Sequence, residues 1–185
     1  METRRLLMAV MVLFTSATCL WAKDQAALWD PLKKRAAQGD AEAQALLGSM
    51  YHWGWGVPQD YPEALKWYRL AAAQGEADAQ SSLGFMYHQG EGVPQDYAEA
   101  LKWYRLAAAQ GQALAQFALG RLYSEGTGVP RDYVQAHKWF TLGTATSTTP
   151  AERDRAVRAR DSVAAKMTPA QIAEAHKLVR EWKKQ

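Results

Sequence analysis

Three stretches of this sequence carry residues able to do chemistry: GWGVPQD at 54–60, GEGVPQD at 90–96 and GTGVPRD at 126–132. A Gly-x-Gly turn cradles phosphate oxygens when its backbone N–H groups point at the ligand and a helix opens directly behind it. A dinucleotide site further requires a strand before the glycines, a third glycine and a later acidic residue. A phosphate loop requires Gly-Lys-Ser or Gly-Lys-Thr. Here Val-Pro follows each glycine pair, a helical pattern precedes it, and the motif returns at even spacing. The stretch is a joint between structural elements, and no nucleotide cofactor is expected.

His52 and His88 stand at equivalent positions of neighbouring copies, with Ser124 in the third. Packed helices lie about 8–10 Å apart, while imidazoles sharing one zinc each need bonds of about 2 Å. Parallel side chains do not converge on that geometry, so no metal site is expected. Glu42, Asp78, Glu63 and Glu99 are carboxylates without a nucleophile or His-Glu-x-x-His motif beside them, and Ser81-Ser82 reads as helix surface. Nothing points to catalysis.

The elements that carry these residues come next. The chain has 185 residues, 22 basic and 19 acidic, for a net charge of +3. That excess is too small and too dispersed for a nucleic-acid binder, which concentrates a basic face. Arg4 and Arg5 precede the apolar run LLMAVMVLF and the small residues leading to Ala22. This order reads as a signal peptide over 1–22, and the run falls short of the about 20 residues that span a bilayer. The mature chain is then exported, periplasmic or secreted, bacterial in type, and free of the membrane. An uncleaved anchor, or a lipid anchor at Cys19, is the alternative. Cys19 is the only cysteine, so a chain cleaved after Ala22 has no disulfide, thiol nucleophile or thiolate ligand.

Residues 39–74, 75–110 and 111–146 align without a gap. The first two copies agree at 28 of 36 positions and the second and third at 18 of 36. Such a period marks a repeat array. In each first half, Ala43, Leu47 and Tyr51 fall on one helix face with Gln44 and Gly48 beside them, and Gly48 leaves room for another backbone. In each second half, Tyr61, Ala64, Leu65, Tyr68, Ala71 and Ala72 form a second apolar face, flanked by Trp67. Asp60, Asp96 and Asp132 precede the second helices, with Glu63, Glu99 and Gln135 three residues on, the pattern of a capping box. Gly75 and Gly111 stand where helices end in left-handed backbone. No run alternates as a half-buried strand does, so the chain is all-α.

The elements A-x-A-Q-x-x-L-G-x-x-Y, G-x-G-V-P-x-D-Y and A-x-K-W over 39–146 resemble the Sel-one-like repeat family, a branch of the tetratricopeptide-like helical repeats. The resemblance implies a right-handed α-solenoid of three 36-residue helix-turn-helix repeats. An N-terminal capping segment at 23–38 and a C-terminal helical cap at 147–185 complete it. In the cap, TPAE at 149–152 and TPAQ at 168–171 predict helices near 150–166 and 169–183, the second with an apolar stripe of Ile172, Ala175, Val179 and Trp182. The basic residues of this tail are expected to be solvated, with a basic docking surface as the alternative.

The resemblance also implies a concave groove that binds a protein or peptide partner. By register the first repeat contributes Glu42, Ala45, Ser49, His52 and Trp53. The second contributes Asp78, Ser81, Phe85, His88 and Gln89, and the third Leu114, Phe117, Arg121, Ser124 and Glu125. Trp53, Phe85 and Phe117 are the expected anchors, unless they pack between repeats. The expected function is an exported interaction scaffold without catalysis. The alternatives are an exported hydrolase acting on cell-wall or β-lactam-type substrates and a membrane-tethered envelope assembly factor.

Overall fold

The computed structural model describes residues 29–182. The export segment expected at 1–22, Cys19 and the start of the N-terminal cap lie outside the described residues, as do the last three residues of the C-terminal cap. The described residues form helices and no strand. Helix α1 covers 29–37. Three pairs follow: α2 (Ala41–Trp53) with α3 (Tyr61–Ala73), α4 (Ala77–Gln89) with α5 (Tyr97–Ala109), and α6 (Ala113–Glu125) with α7 (Tyr133–Thr146). Helices α8 (Pro150–Ala164) and α9 (Pro169–Trp182) both pack on α7. No described helix is long and apolar enough to cross a membrane.

Each pair closes around a glycine. A Cβ on Gly48 would meet the Tyr68 ring at 2.7 Å, one on Gly84 the Tyr104 ring at 2.7 Å, and one on Gly120 the Phe140 ring at 2.5 Å. The small residue therefore admits an aromatic ring of the second helix, where the sequence had suggested a second backbone. Tyr68 is 1% exposed, and burial of such a ring contributes roughly 2 kcal/mol.

The joint has a defined hydrogen-bond logic. Gly54 takes left-handed backbone, φ 70°, and the Asp60 N–H donates back to Tyr51 O at 2.9 Å. The Asp60, Asp96 and Asp132 carboxylates each accept from the N–H three residues on, at 3.0 Å. Only this half of the expected box forms, because the cap N–H is already held by the first helix. Freed from that role, Glu63 accepts from Trp67 Nε1 and from Lys66. In α8 both halves form between Thr149 and Glu152, and before α9 both form between Thr168 and Gln171.

A row of buried glutamines joins one repeat to the next. Gln44, Gln80 and Gln116 donate through Nε2 to the carbonyls of Ala36, Ala72 and Ala108 at 3.0, 3.3 and 3.1 Å. Their Oε1 atoms accept from Gln74, Gln110 and Thr146 at 2.8, 2.9 and 2.8 Å. Each amide thus ties the end of the preceding second helix to the end of its own. Helix α1 serves as such a second helix for the first repeat, with Trp29 and Ala36 buried against Ala43 and Leu47. At the other end Ala175 and Val179 of α9 are buried and Trp182 meets Trp139 edge-on at 5.1 Å. The apolar stripe of α9 covers what the last repeat would otherwise expose.

Candidate functional site

The first helices of successive repeats touch, α2 with α4 and α4 with α6, and they form one face of the array. A cavity of about 500 Å³ opens there, within the range of ligand sites. Ser49, His52 and Trp53 line it from the first repeat, Ser81, Ser82, Phe85, His88 and Gln89 from the second, and Leu114, Phe117, Ala118, Arg121 and Leu122 from the third. Tyr68 and Tyr104 reach it from the second helices, and Arg155 from α8.

The cavity gathers most of the residues that register had placed on the groove. Ser49, Phe85 and Arg121 occupy the same point of three successive repeats, directly after the helix glycine. The lining thus changes from hydroxyl to ring to guanidinium while the packing beneath it stays the same. The differences between the first two copies include Ala45/Ser81, Leu46/Ser82, Ser49/Phe85 and Trp53/Gln89, and each of these positions lends a side chain to the cavity from at least one copy.

Other residues that register had placed on the groove lie outside the cavity lining. Glu42 and Asp78 lie at the starts of their helices and do not line the cavity; Glu42 sits 3.6 Å from Arg35, and Asp78 accepts from Gln112 at 3.3 Å. Ala45 is buried under the face, and Ser124 stands outside the lining, its Oγ donating to Arg121 O. Glu125 also lies outside it and accepts from Arg121 Nε and Nη2 at 3.1 and 3.0 Å. His52 is 2% exposed, and its Nε2–H donates to the Glu91 carboxylate at 2.6 Å. This bond joins the first repeat to the loop of the second, so His52 supports the cavity wall. Glu91 is the middle residue of a Gly-x-Gly loop, a position to which the sequence reading gave no role.

The aromatics both pack between repeats and face the cavity. Trp53 is 52% exposed, its ring 6.3 Å from Phe85 and 6.4 Å from the Trp55 ring, which stacks on it at the rim. Phe117 rests on Phe140 at 5.4 Å, and the Arg155 guanidinium lies over it at 4.7 Å. Arg155 went unnoticed in the sequence because it belongs to the cap, outside the repeat register.

Several polar groups of the cavity are hydrogen-bonded or shifted by burial. Ser49 Oγ donates to Ala45 O at 3.1 Å and accepts from Tyr68 Oη at 3.0 Å. Burial raises the Tyr68 hydroxyl above the usual phenol value and pushes that of Tyr104 well above it. Burial, and then the charge of Arg121, hold His88 below the ordinary histidine value. The loop amides are likewise engaged: Gly90 and Glu91 N–H both donate to Met86 O, at 2.8 and 3.0 Å. The loop therefore closes a helix with the groups a phosphate would need. Among the described residues, no three of His, Cys, Asp and Glu gather where they could hold a metal ion.

The Sel1 repeat family matches residues 41–76, 77–112 and 113–144, each span opening at the first residue of a repeat's first helix. The chain is also similar to the protective antigen c5321 of uropathogenic Escherichia coli strains, whose crystal structure displays an SLR fold. The likeness has a TM-score of 0.73 and 39% identity over 82% of this chain and 31% of that one. The chain thus spans less than a third of that protein's length. A Sel1 repeat protein from Oxalobacter formigenes is similar with a TM-score of 0.60 and 38% identity over 72% of this chain and 98% of the other. No curated protein matches the chain. Sel1 repeats typically mediate protein–protein interaction. With three matched repeats over more than half its length, each closed by the same joint and glycine–ring contact, the chain belongs to the Sel1 repeat family.

Proposed function

We propose that this chain is an exported scaffold that holds a protein or peptide partner in its inner-face groove and carries out no chemistry on it. One observation carries the reading: the cavity is lined by all three repeats at positions where the copies differ, over a framework whose packing they share. Exposed aromatics such as Trp53 are the residue type that anchors interfaces. The framework is already ordered, so a partner binds without reordering it, and this favours affinity. Export follows from the basic and apolar start of the sequence, and the N-terminal sequence of protein recovered from cell fractions tests it directly.

The binding test is a crosslinked pull-down from the native envelope. It compares the wild-type chain with a Trp53→Ala/Phe85→Ala/Arg121→Glu variant shown to be folded by circular dichroism. We expect the variant to lose the partners that the wild type recovers. Equal recovery by both would rule the groove out as the binding surface.

A further inference from the structure

We propose that the groove is built for an acidic peptide, an extended segment of a partner protein. It would seat an apolar or aromatic side chain beside Trp53 and Phe85 and an Asp or Glu side chain on Arg121 and Arg155. The inference rests on the reading of the groove as a peptide site and adds the chemistry of what fills it.

Charge is the first argument. The cavity lining contains two permanently charged side chains, both arginines, and no carboxylate. They share one end: Arg121 projects from α6 one turn beyond Phe117, and Arg155 lies over the Phe117 ring at 4.7 Å. Arg155 makes no ion pair or hydrogen bond among the described residues, so its contact with the Phe117 ring leaves its N–H donors unpaired there. A guanidinium held in this way presents a fork that matches a carboxylate. Arg121 gives two of its N–H groups to a single oxygen of Glu125. Both partners of that pair are about half exposed, and exposed helix pairs of this kind contribute little. An incoming carboxylate therefore meets little competition.

Shape is the second argument. The other end of the cavity is aromatic: Trp53 and Phe85 lie 6.3 Å apart, and Glu91 already occupies the nearby His52. Three helices in contact, each about 8–10 Å from the next, put α2 and α6 about 16–20 Å apart. An extended chain advances about 3.3 Å per residue, so about five or six residues join Trp53 on α2, and about three join Phe85 on α4, to Arg121 on α6. Nothing in the cavity favours a basic or uniformly apolar segment over its whole length.

The test retains a positional-scanning library of N-acetylated, C-amidated octapeptides on the immobilised full chain at moderate salt. We expect Asp and Glu to be enriched over Asn and Gln by about tenfold, as a charge-assisted bond gives. The enrichment should lie about three to six positions from an enriched aromatic. An Arg121→Glu/Arg155→Glu variant, checked for folding by circular dichroism, should invert it toward Lys and Arg and leave the aromatic preference intact. Retained peptides without acidic enrichment, or enrichment that survives the double reversal, would overturn the acidic-peptide inference while leaving a peptide groove in place. Binding through the terminus alone, in a parallel library with free C-termini, would overturn it in the same way. If the folded chain retains no peptide from either library, the peptide-groove reading falls with it.

Discussion

At the scale of single residues, a missing methyl group sets how closely the two helices of a repeat approach. A Cβ on Gly84 would sit 2.7 Å from Cδ1 of Tyr104, a ring that is 4% exposed and would have to shift toward the cavity to make room. Gly84→Ala should therefore destabilise the chain by about 1–3 kcal/mol, the usual cost of overpacking, read as a lower urea midpoint. Adding Tyr104→Leu should recover part of that loss, because the smaller side chain vacates the contested space. The glycine itself was legible in the sequence as a close approach, but its partner was not. Helical spacing fixes which face a residue is on, and only the docking of α5 on α4 determines that a ring fills the gap. His52 carries the same lesson. Its place on the inner face was readable from the register, whereas its burial and its bond to Glu91 depend on how the next loop folds across it.

At the scale of elements, the seam where α9 docks on α7 holds a buried histidine. His137 of α7 is 3% exposed, and its ring lies 5.4 Å from that of His176 on α9. Burial lowers its proton affinity most, the charges of His176 and Arg160 lower it further, and Asp161 opposes them. The folded value thus lies below the ordinary value of about 6.5. Between the folded value and about 6.5 the unfolded chain binds more protons than the folded one, so stability falls as pH falls through this window. Above about pH 7 the penalty is absent. Urea midpoints measured from pH 7.5 down to 5 should stay level at first and then drop, and His137→Gln should flatten part of the drop. His88, lowered mainly by its own burial, leaves a residual slope in that variant. The two cap helices were legible because Thr-Pro-Ala-Glu and Thr-Pro-Ala-Gln name their own first turns, and α9 shows its buried stripe in its spacing. The reach of Arg155 into the groove was not legible, since no local pattern tells where α8 lies relative to α6.

At the scale of the whole molecule, the array is a line of units in which each contacts its neighbours and little else, so its stability is divided between repeats and the seams that join them. The period, the helix pairs and the joint were all legible, because three copies expose what one would hide. The seam was only partly so: Gln44, Gln80 and Gln116 are identical in every copy, but a buried amide bridging two helix ends cannot be told from a surface glutamine by spacing. Gln80 tests the seam between the first and second repeats. Replacement by leucine keeps much of the volume and removes the bonds to Ala72 O and from Gln110 Nε2. Neither partner is left bare, since Ala72 O still accepts from the Gly75 N–H at 3.0 Å and Gln110 Nε2 still donates to Gly75 O at 2.8 Å. The cost should accordingly be near that of ordinary hydrogen bonds, about 1–2 kcal/mol, and below that of buried orphans. Its distribution is the sharper expectation. Helices α1–α3 stand on one side of the weakened seam with no cap beyond α1 among the described residues, while α4–α7 remain braced by α8 and α9. Amide hydrogen exchange of Gln80→Leu should therefore accelerate in α2 and α3 and change little in α6 and α7. Equal acceleration along the whole array would mean that the repeats unfold as one unit and that the glutamine row is not what couples them.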